Sequence, residues 1–384
     1  MQVLMTIKPF LDVCRRARMA SLLLGGPGLR KSAETKQYAE GIAIEMKRAF
    51  VEWNTISFEE KRKLLVDPEY RKSIYIFADV RLGGYDPTDL KGLPNFHGDV
   101  DSVVEWRPQM MFYILAQPEA AGCLFLDEIT QAPMSIQAPA YQLILDRCVG
   151  DIKLSDDVFL TAAGNRPEDK TGAFPLGMAL RNRFMHMTVE PPTIEDWTRW
   201  ALDNGINTDV VAYLNFQPSH MVDDLQKVYK QGDNAYATPR SWVAVGNLLD
   251  TWKEMTGKKV PFEIITELAK SAVGEGHART FRGFVELLRD VDMDKIIKDP
   301  TILKGYMEDQ KMDQTWAVIG AVPDWYAKKK DKKAREDILN VVSYLEVDFA
   351  VAMIRMTIQR FPELKREFLS CTNKRVIQSL VKYL

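Results

Sequence analysis

The sequence predicts an α/β protein in its first half, a parallel sheet sandwiched by helices, followed by an all-helical remainder. Three observations carry this. Short apolar runs alternate with helical patterns over the first 190 or so residues. The first apolar run ends in a glycine-rich turn, SLLLGGPGLRKS (Ser21 to Ser32), that leads into a helix. After Pro191-Pro192 the apolar spacing is helical throughout.

Taken in order, residues 7–18 read as a short helix leading into a strand, Met19 to Leu24. The loop Gly25 to Arg30 follows, and Lys31 opens a helix expected to run to about Trp53. Beyond the charged segment FEEKRKLLVDPEYRKS, the run IYIFADVRL (Ile74 to Leu82) reads as a strand. GGYDPTDLKGLPNF reads as a loop from its Gly and Pro content. GCLFLDE (Gly122 to Glu128) is apolar without alternation, as a strand buried on both faces should be, and ends in two carboxylates. Ser135 to Arg147 has helical spacing, with Pro139 expected to kink it or lie near its start. VGDIKLSDDV reads as a short hairpin, FLTAAGN (Phe159 to Asn165) as another buried strand, and Phe184 to Val189 as a further one. Segments such as TIEDWTRWALDNG and SWVAVGNLLDTWKEMTG are helical. Three domains are therefore expected: 1–190 α/β, 191–299 a helical lid, and 300–384 a helical extension.

A chain of 384 residues with 46% hydrophobic and 27% charged residues has the balance of a globular protein with a sizeable core. The net charge of −2 offers no electrostatic footprint for nucleic acid. KKKDKKAR (Lys328 to Arg335) is the one basic block, read as a solvated helix start or loop. Cys14, Cys123, Cys148 and Cys371 are scattered and read as reduced thiols. His97, His186, His220 and His277 lack zinc-ligand spacing. Asp86 and Asp89 read as turn-forming acids. No signal peptide and no membrane span is read from the sequence, and a cytoplasmic protein is expected.

Three strand ends carry chemistry, because ligands of parallel sheets bind beyond the carboxyl ends of the strands. The first delivers Gly25, Gly26, Pro27, Gly28, Leu29, Arg30, Lys31 and Ser32, nearly a phosphate-binding loop. Such a loop cradles phosphates with backbone N–H groups and a helix N-terminus. Lys31 would neutralise the β- and γ-phosphates, and Ser32 would hold Mg²⁺ through its hydroxyl. The second delivers Asp127, placed to hold Mg²⁺, and Glu128, placed to polarise the attacking water. Two adjacent acids at the end of an apolar strand are costly to bury unless a cation compensates. The third delivers Asn165, a candidate partner of the γ-phosphate or the lytic water. Phosphoryl transfer needs these parts: an N–H cradle, a cation, a metal and a positioned water.

In this order and spacing the motifs resemble those of AAA+ ATPases, specifically the MoxR-like group. The resemblance includes DVRLGGYDPTDLKGLPNF, GCLFLDEITQAP, SIQAPAYQLILDRCVGD, AAGNRPED, PLGMALRNRFMHMTVE and ATPRSW, and covers roughly residues 18–250. It implies an AAA+ core with ATP and Mg²⁺ as cofactors. Lys31 and Ser32 match the phosphate-loop lysine and metal hydroxyl, Asp127 and Glu128 the metal-binding and catalytic acids, and Asn165 the γ-phosphate sensor. Arg183 matches an arginine finger acting on the next subunit, with Arg181 as runner-up, and Arg240 matches the second sensor on the helical lid. The resemblance further implies a homo-oligomeric, hexameric ring and a remodelling or chaperone role, often with a partner bearing a von Willebrand factor A domain or another client protein. Two competing readings are a nucleic-acid-acting motor, which the near-neutral charge disfavours, and an assembly protein that binds nucleotide with little turnover.

One position departs from the pattern. The phosphate loop wants glycine before its lysine, and this chain has Arg30. A positive φ there would strain arginine by about 1–2 kcal/mol, whereas a place already inside the first helical turn would tolerate a side chain. Alanine at this place in related family members favours the second case. The remaining site residues are intact, so an active ATPase, altered at this position, is expected.

Overall fold

The computed structural model describes residues 6–96, 104–169, 172–232 and 234–369. His97, Cys371 and positions 370–384 of the expected extension lie outside the described residues. The chain forms two compact units, Met1–Glu190 and Pro191–Leu384.

The first unit opens with α1 (Ile7–Arg16), β1 (Ser21–Leu24), α2 (Lys31–Glu45) and β2 (Ala49–Glu52). It continues through α3 (Phe58–Val66), α4 (Pro68–Lys72), β3 (Ile74–Arg81) and α5 (Pro87–Lys91). Next come β4 (Leu93–Phe96), β5 (Val104–Arg107), α6 (Met110–Leu115), β6 (Ala121–Asp127) and α7 (Met134–Asp146). Then follow β7 (Cys148–Val149), β8 (Ile152–Lys153), β9 (Val158–Gly164), α8 (Met178–Arg181) and β10 (Met185–Thr188). Six strands form one parallel sheet in the order β10-β1-β9-β6-β3-β2. The expected fold class is what the structure shows: a parallel sheet between layers of helices, followed by a helical second unit.

Alternate residues of each strand enter separate cores on the two faces. Leu22, Ile76, Leu124 and Leu160 pack on one side, and Leu23, Tyr75, Phe77, Phe125 and Phe159 on the other. That is why these runs are apolar without alternation. The parallel register sends every carboxyl end to one edge. Leu24 pairs with Gly164, and Arg81 pairs with Asp127, so the ends of β1, β9, β6 and β3 form one rim.

Several local expectations need correction. The helix from Lys31 stops at Glu45, not near Trp53, and the residues beyond it form the edge strand β2. Lys47 takes φ 55°, and Arg48 donates back to the carbonyl of Ala43 at 2.9 Å. This is the left-handed helix stop that glycine usually signals. Here a lysine makes it, so the stop is silent in the sequence. The charged segment, given no element from the sequence, forms α3 and α4, the first capped by a reciprocal Ser57–Glu60 pair. The stretch GGYDPTDLKGLPNF contains α5 and β4, which pairs antiparallel with β5. Asp89 accepts from the backbone N–H of Asp86 at 2.8 Å, the turn-forming use read for these acids. Pro139 sits inside α7.

The second unit is helical: α9 (Ile194–Asp203), α10 (Thr208–Phe216), α11 (Leu225–Gln231), α12 (Pro239–Thr256), α13 (Phe262–Val273) and α14 (Glu275–Asp290). It runs on through α15 (Met293–Lys298), α16 (Thr301–Glu308), α17 (Met312–Lys329), α18 (Lys332–Val342), α19 (Val347–Arg360) and α20 (Lys365–Leu369). One buried cluster extends from Trp197 through Phe281 and Ile319 to Phe368, so helices on both sides of residue 300 share a core. The basic block is the turn between α17 and α18. Lys330 ends the first helix in the left-handed conformation, and Asp331 caps the second by accepting from Ala334 at 2.6 Å. Among the described residues no helix is long and apolar enough to cross a membrane.

Candidate functional site

The loop after β1 is held by the end of β10. The N–H of Val189 donates to the carbonyl of Leu24 at 2.6 Å, and Gly25 donates to the carbonyl of Gly164 at 3.2 Å. A Cβ on Gly25 would lie 2.5 Å from the Val189 carbonyl oxygen, closer than any real contact, so this position admits only glycine. Gly28 has φ 75°, which glycine adopts at no steric cost.

Arg30 decides the question its sequence left open. Its φ is 61° and ψ 16°, left-handed, and it stands immediately before α2 rather than inside its first turn. The strained alternative is the one realised, at a cost of about 1–2 kcal/mol. Its guanidinium turns along α2 to Glu34, 3.1 Å away. Burial pulls its pKa down, and the Glu34 carboxylate opposes that pull.

Lys31 is only 8% exposed. Its ammonium donates to the carbonyls of Gly25 at 2.7 Å and Gly26 at 2.9 Å, and to Asn165 Oδ1 at 3.2 Å. The side chain thus spans from its own loop to the end of β9. The Ser32 hydroxyl donates to Asp127 Oδ2 at 2.7 Å, and Asp127 Oδ1 accepts from the Glu128 N–H at 2.9 Å. Glu128 has φ 56°, a second strained non-glycine residue at the rim. The turn after β3 also reaches the acids: a Cβ on Gly83 would lie 3.8 Å from Glu128 Oε2. Lys31, Ser32, Asp127, Glu128 and Asn165 are therefore brought together at one edge of the sheet.

Arg183 lies just beyond α8. It donates to the Ala179 carbonyl at 3.2 Å, and its guanidinium covers the Tyr141 ring at 4.9 Å. Arg181 is exposed, with no side-chain hydrogen bond or ion pair among the described residues. Arg240 belongs to the second unit, exposed in the first turn of α12.

Two residues escaped the sequence reading. The Thr130 hydroxyl accepts from the N–H of Asn165 at 3.0 Å, and its side chain fills the space that a Cβ on Gly164 would need. Thr130 therefore fixes where β9 ends and Asn165 begins. Asp79, on β3, has a buried Oδ1 without a hydrogen-bond partner among the described residues. Burial first, and then the Asp127 charge, push its pKa from 3.8 to about 6. The signal for Asp79 was present: a carboxylate interrupting the apolar run IYIFADV conflicts with its surroundings, as functional sites do.

The residues present suit Mg²⁺ and a nucleotide triphosphate. A hydroxyl and a carboxylate already in contact are hard oxygen donors of the kind Mg²⁺ takes. Lys31 is a cation whose ammonium donates to oxygens at the rim, the bond that phosphate oxygens would also take.

No family profile matches the sequence, and no curated protein does. Solved structures of similar fold include domain III of the Thermotoga maritima replication initiation protein DnaA, at 15% identity and a TM-score of 0.34, covering 69% of this chain and 90% of that one. Cdc6p from Pyrobaculum aerophilum is 12% identical with a TM-score of 0.40, covering 94% and 93%. C. elegans PCH-2 is 12% identical with a TM-score of 0.33, covering 71% and 64%. Likenesses this distant carry no functional argument, which rests on the chain's own geometry.

Proposed function

We propose that this chain is a Mg²⁺-dependent AAA+ ATPase of the MoxR-like kind, working in a homo-oligomeric ring and spending hydrolysis on remodelling or activating a partner protein. The observation that carries the reading is the convergence of Lys31, Ser32, Asp127, Glu128 and Asn165 at the ends of β1, β6 and β9. The intervening strand β9 puts Asn165 between the loop and the acids, where a terminal phosphate would lie.

In this reading the loop N–H groups and the start of α2 bind the phosphates. Lys31 exchanges its carbonyl partners for phosphate oxygens. Ser32 and Asp127 hold Mg²⁺, which when bound neutralises charge on the β- and γ-phosphates. Glu128 orients and polarises the attacking water, and Asn165 hydrogen-bonds the γ-phosphate or that water. Arg240 acts as the second sensor of the nucleotide, and Arg183 reaches the nucleotide of the next subunit, leaving the Tyr141 ring. The helical second unit serves as lid and extension, with division near residue 299. A von Willebrand factor A domain protein or another client is the proposed partner.

The test is steady-state phosphate release against protein concentration, with particle size measured in parallel. An arginine acting in trans is worth about 10³–10⁵ in rate, so specific activity should climb with assembly. Arg183→Ala should remove that climb and Arg181→Ala should keep it. Activity independent of assembly would overturn the ring mechanism. A second reading, nucleotide held with little turnover, is favoured by the strained Arg30 beside Lys31. Bound nucleotide without phosphate release at any concentration would establish it.

A further inference from the structure

We propose that Asp223 and His277 are positioning residues for Arg240: they fix the start of the helix that carries it, and through it the reach of the guanidinium. The proposal rests on the role assigned to Arg240 above.

Arg240 is the second residue of α12, and the start of that helix is tied down with unusual thoroughness. Thr238 and Ser241 cap it reciprocally: the Ser241 N–H donates to Thr238 Oγ1 at 3.1 Å, and the Thr238 N–H donates to Ser241 Oγ at 2.7 Å. This cap fixes the first turn but not where the turn sits. Its place is set one residue earlier, at Ala237. Asp223 grips that residue on both sides: Asp223 Oδ2 accepts from the Ala237 N–H at 2.6 Å, and the Asp223 N–H donates to the Ala237 carbonyl at 3.0 Å.

The other carboxylate oxygen of Asp223 accepts from His277 Nε2, on α14, at 2.8 Å. A carboxylate only accepts, so Nε2 must carry the proton. Burial tends to raise the pKa of Asp223, but the bonds from His277 and Ala237 hold it below the usual carboxylate range. One side chain thus joins α14 to the residue before the α12 cap. Around it the packing is close. The rings of His277 and His220 meet edge to face at 4.8 Å, and the Trp242 indole donates to the His220 carbonyl at 2.7 Å. Gly274, at the head of α14, passes so near residue 235 that a Cβ would lie 2.9 Å from the Ala235 carbonyl oxygen.

Arg240 itself is exposed and takes no part in this network. The bonds converge on the backbone that aims it, three residues upstream, and leave its side chain outside the packing. A site that must hold a reactive group to within a fraction of an ångström needs such a supporting shell.

The test is a double-mutant cycle on the full chain, read by kcat and KM for ATP, with thermal unfolding as the check on folding. Arg240→Ala sets the scale and should lower kcat/KM about tenfold or more. His277→Leu should reproduce about five- to tenfold of that loss. His277→Gln, which keeps a donor for Asp223, should recover most of it. In the Arg240→Ala background, adding His277→Leu should cost less than about twofold, because there is nothing left to aim. Asp223→Asn takes the place of His277→Leu in the same cycle if the latter does not fold. Equal losses in both backgrounds, or no loss in the parent, would overturn the positioning role. If Arg240→Ala leaves kcat/KM unchanged while Glu128→Gln abolishes turnover, the role of Arg240 fails, and this proposal with it. If Glu128→Gln also leaves turnover intact, the failure lies in the reading of the whole site.

Discussion

The hydroxyl of Ser32 and the carboxylate of Asp127 are joined by a 2.7 Å hydrogen bond across strands that are not neighbours. Ser32 is the second residue of α2, the helix that follows β1, and Asp127 ends β6, with β9 between β1 and β6. Two hard-oxygen donors are thus held side by side, as a shared Mg²⁺ would need them. Chelation of divalent metal should stop phosphate release, and Mg²⁺ should restore it. Ser32→Ala should raise the Mg²⁺ concentration for half-maximal rate by about tenfold, and Asp127→Asn by more. Titration of Mg²⁺ against phosphate release measures both.

Glu128 is fixed by its backbone, through the bond from its N–H to Asp127, while its carboxyl reaches toward the turn at Gly83. Glu128→Gln preserves the shape and removes the carboxylate proposed to polarise the water. Turnover should fall by about 10²-fold or more, with ATP affinity kept within a few-fold in an equilibrium binding assay. Equal hydrolysis by the two proteins would show that another group orients the water.

Arg30 permits a sharper comparison than one substitution. At φ 61° glycine is free of strain and alanine is not. Both lose the contact with Glu34, which is worth only a few tenths of a kcal/mol when partly exposed. Arg30→Gly should therefore be more stable than Arg30→Ala by about 1 kcal/mol in denaturant titrations. Turnover of Arg30→Gly then tells what the side chain does. A faster enzyme means that arginine restrains the loop, and a slower one means that it contacts the nucleotide.

Asp79 makes the metal-free protein sensitive to pH in a defined direction. Its pKa stands near 6 in the folded chain against 3.8 ordinarily, so between those values the folded state binds the proton and the unfolded state does not. Stability should therefore fall as pH rises from about 4 to about 6, and the deficit should persist above that. Asp79→Asn should remove this slope, leaving the variant more stable than the parent near pH 8 and similar to it near pH 4. Denaturant titration with chelator present, at a series of pH values, measures it. Added Mg²⁺ should narrow the gap by screening the acids from one another.

The parts of this site near the ends of buried strands were legible because one apolar run gives way to a glycine-rich loop and Lys-Ser, and two others stop at Asp-Glu and at Asn. What was not legible depended on closure in three dimensions. The φ of Arg30 follows from where the loop must hand over to α2, and no local pattern announces it. The edge strand β2 was concealed because Lys47, not glycine, takes the left-handed turn after Glu45. Asp79 could be seen as an anomaly in its strand, but its nearness to Asp127 depends on β3 lying beside β6. The bracing of Asn165 by Thr130, thirty-five positions earlier, needs the same sheet order. His220 and His277, unremarkable in spacing, meet only because α14 folds back on the chain before α12.

The contact at Gly25 also bears on how the loop after β1 can move. The Val189 carbonyl fills the space beside Gly25, and the Val189 N–H is bonded to the carbonyl of Leu24. The loop is thus clasped at its first residue by the chain that follows β10, and it can shift there only if that chain shifts with it. A single methyl group at Gly25 would pry the clasp open without touching any of the polar side chains at the rim.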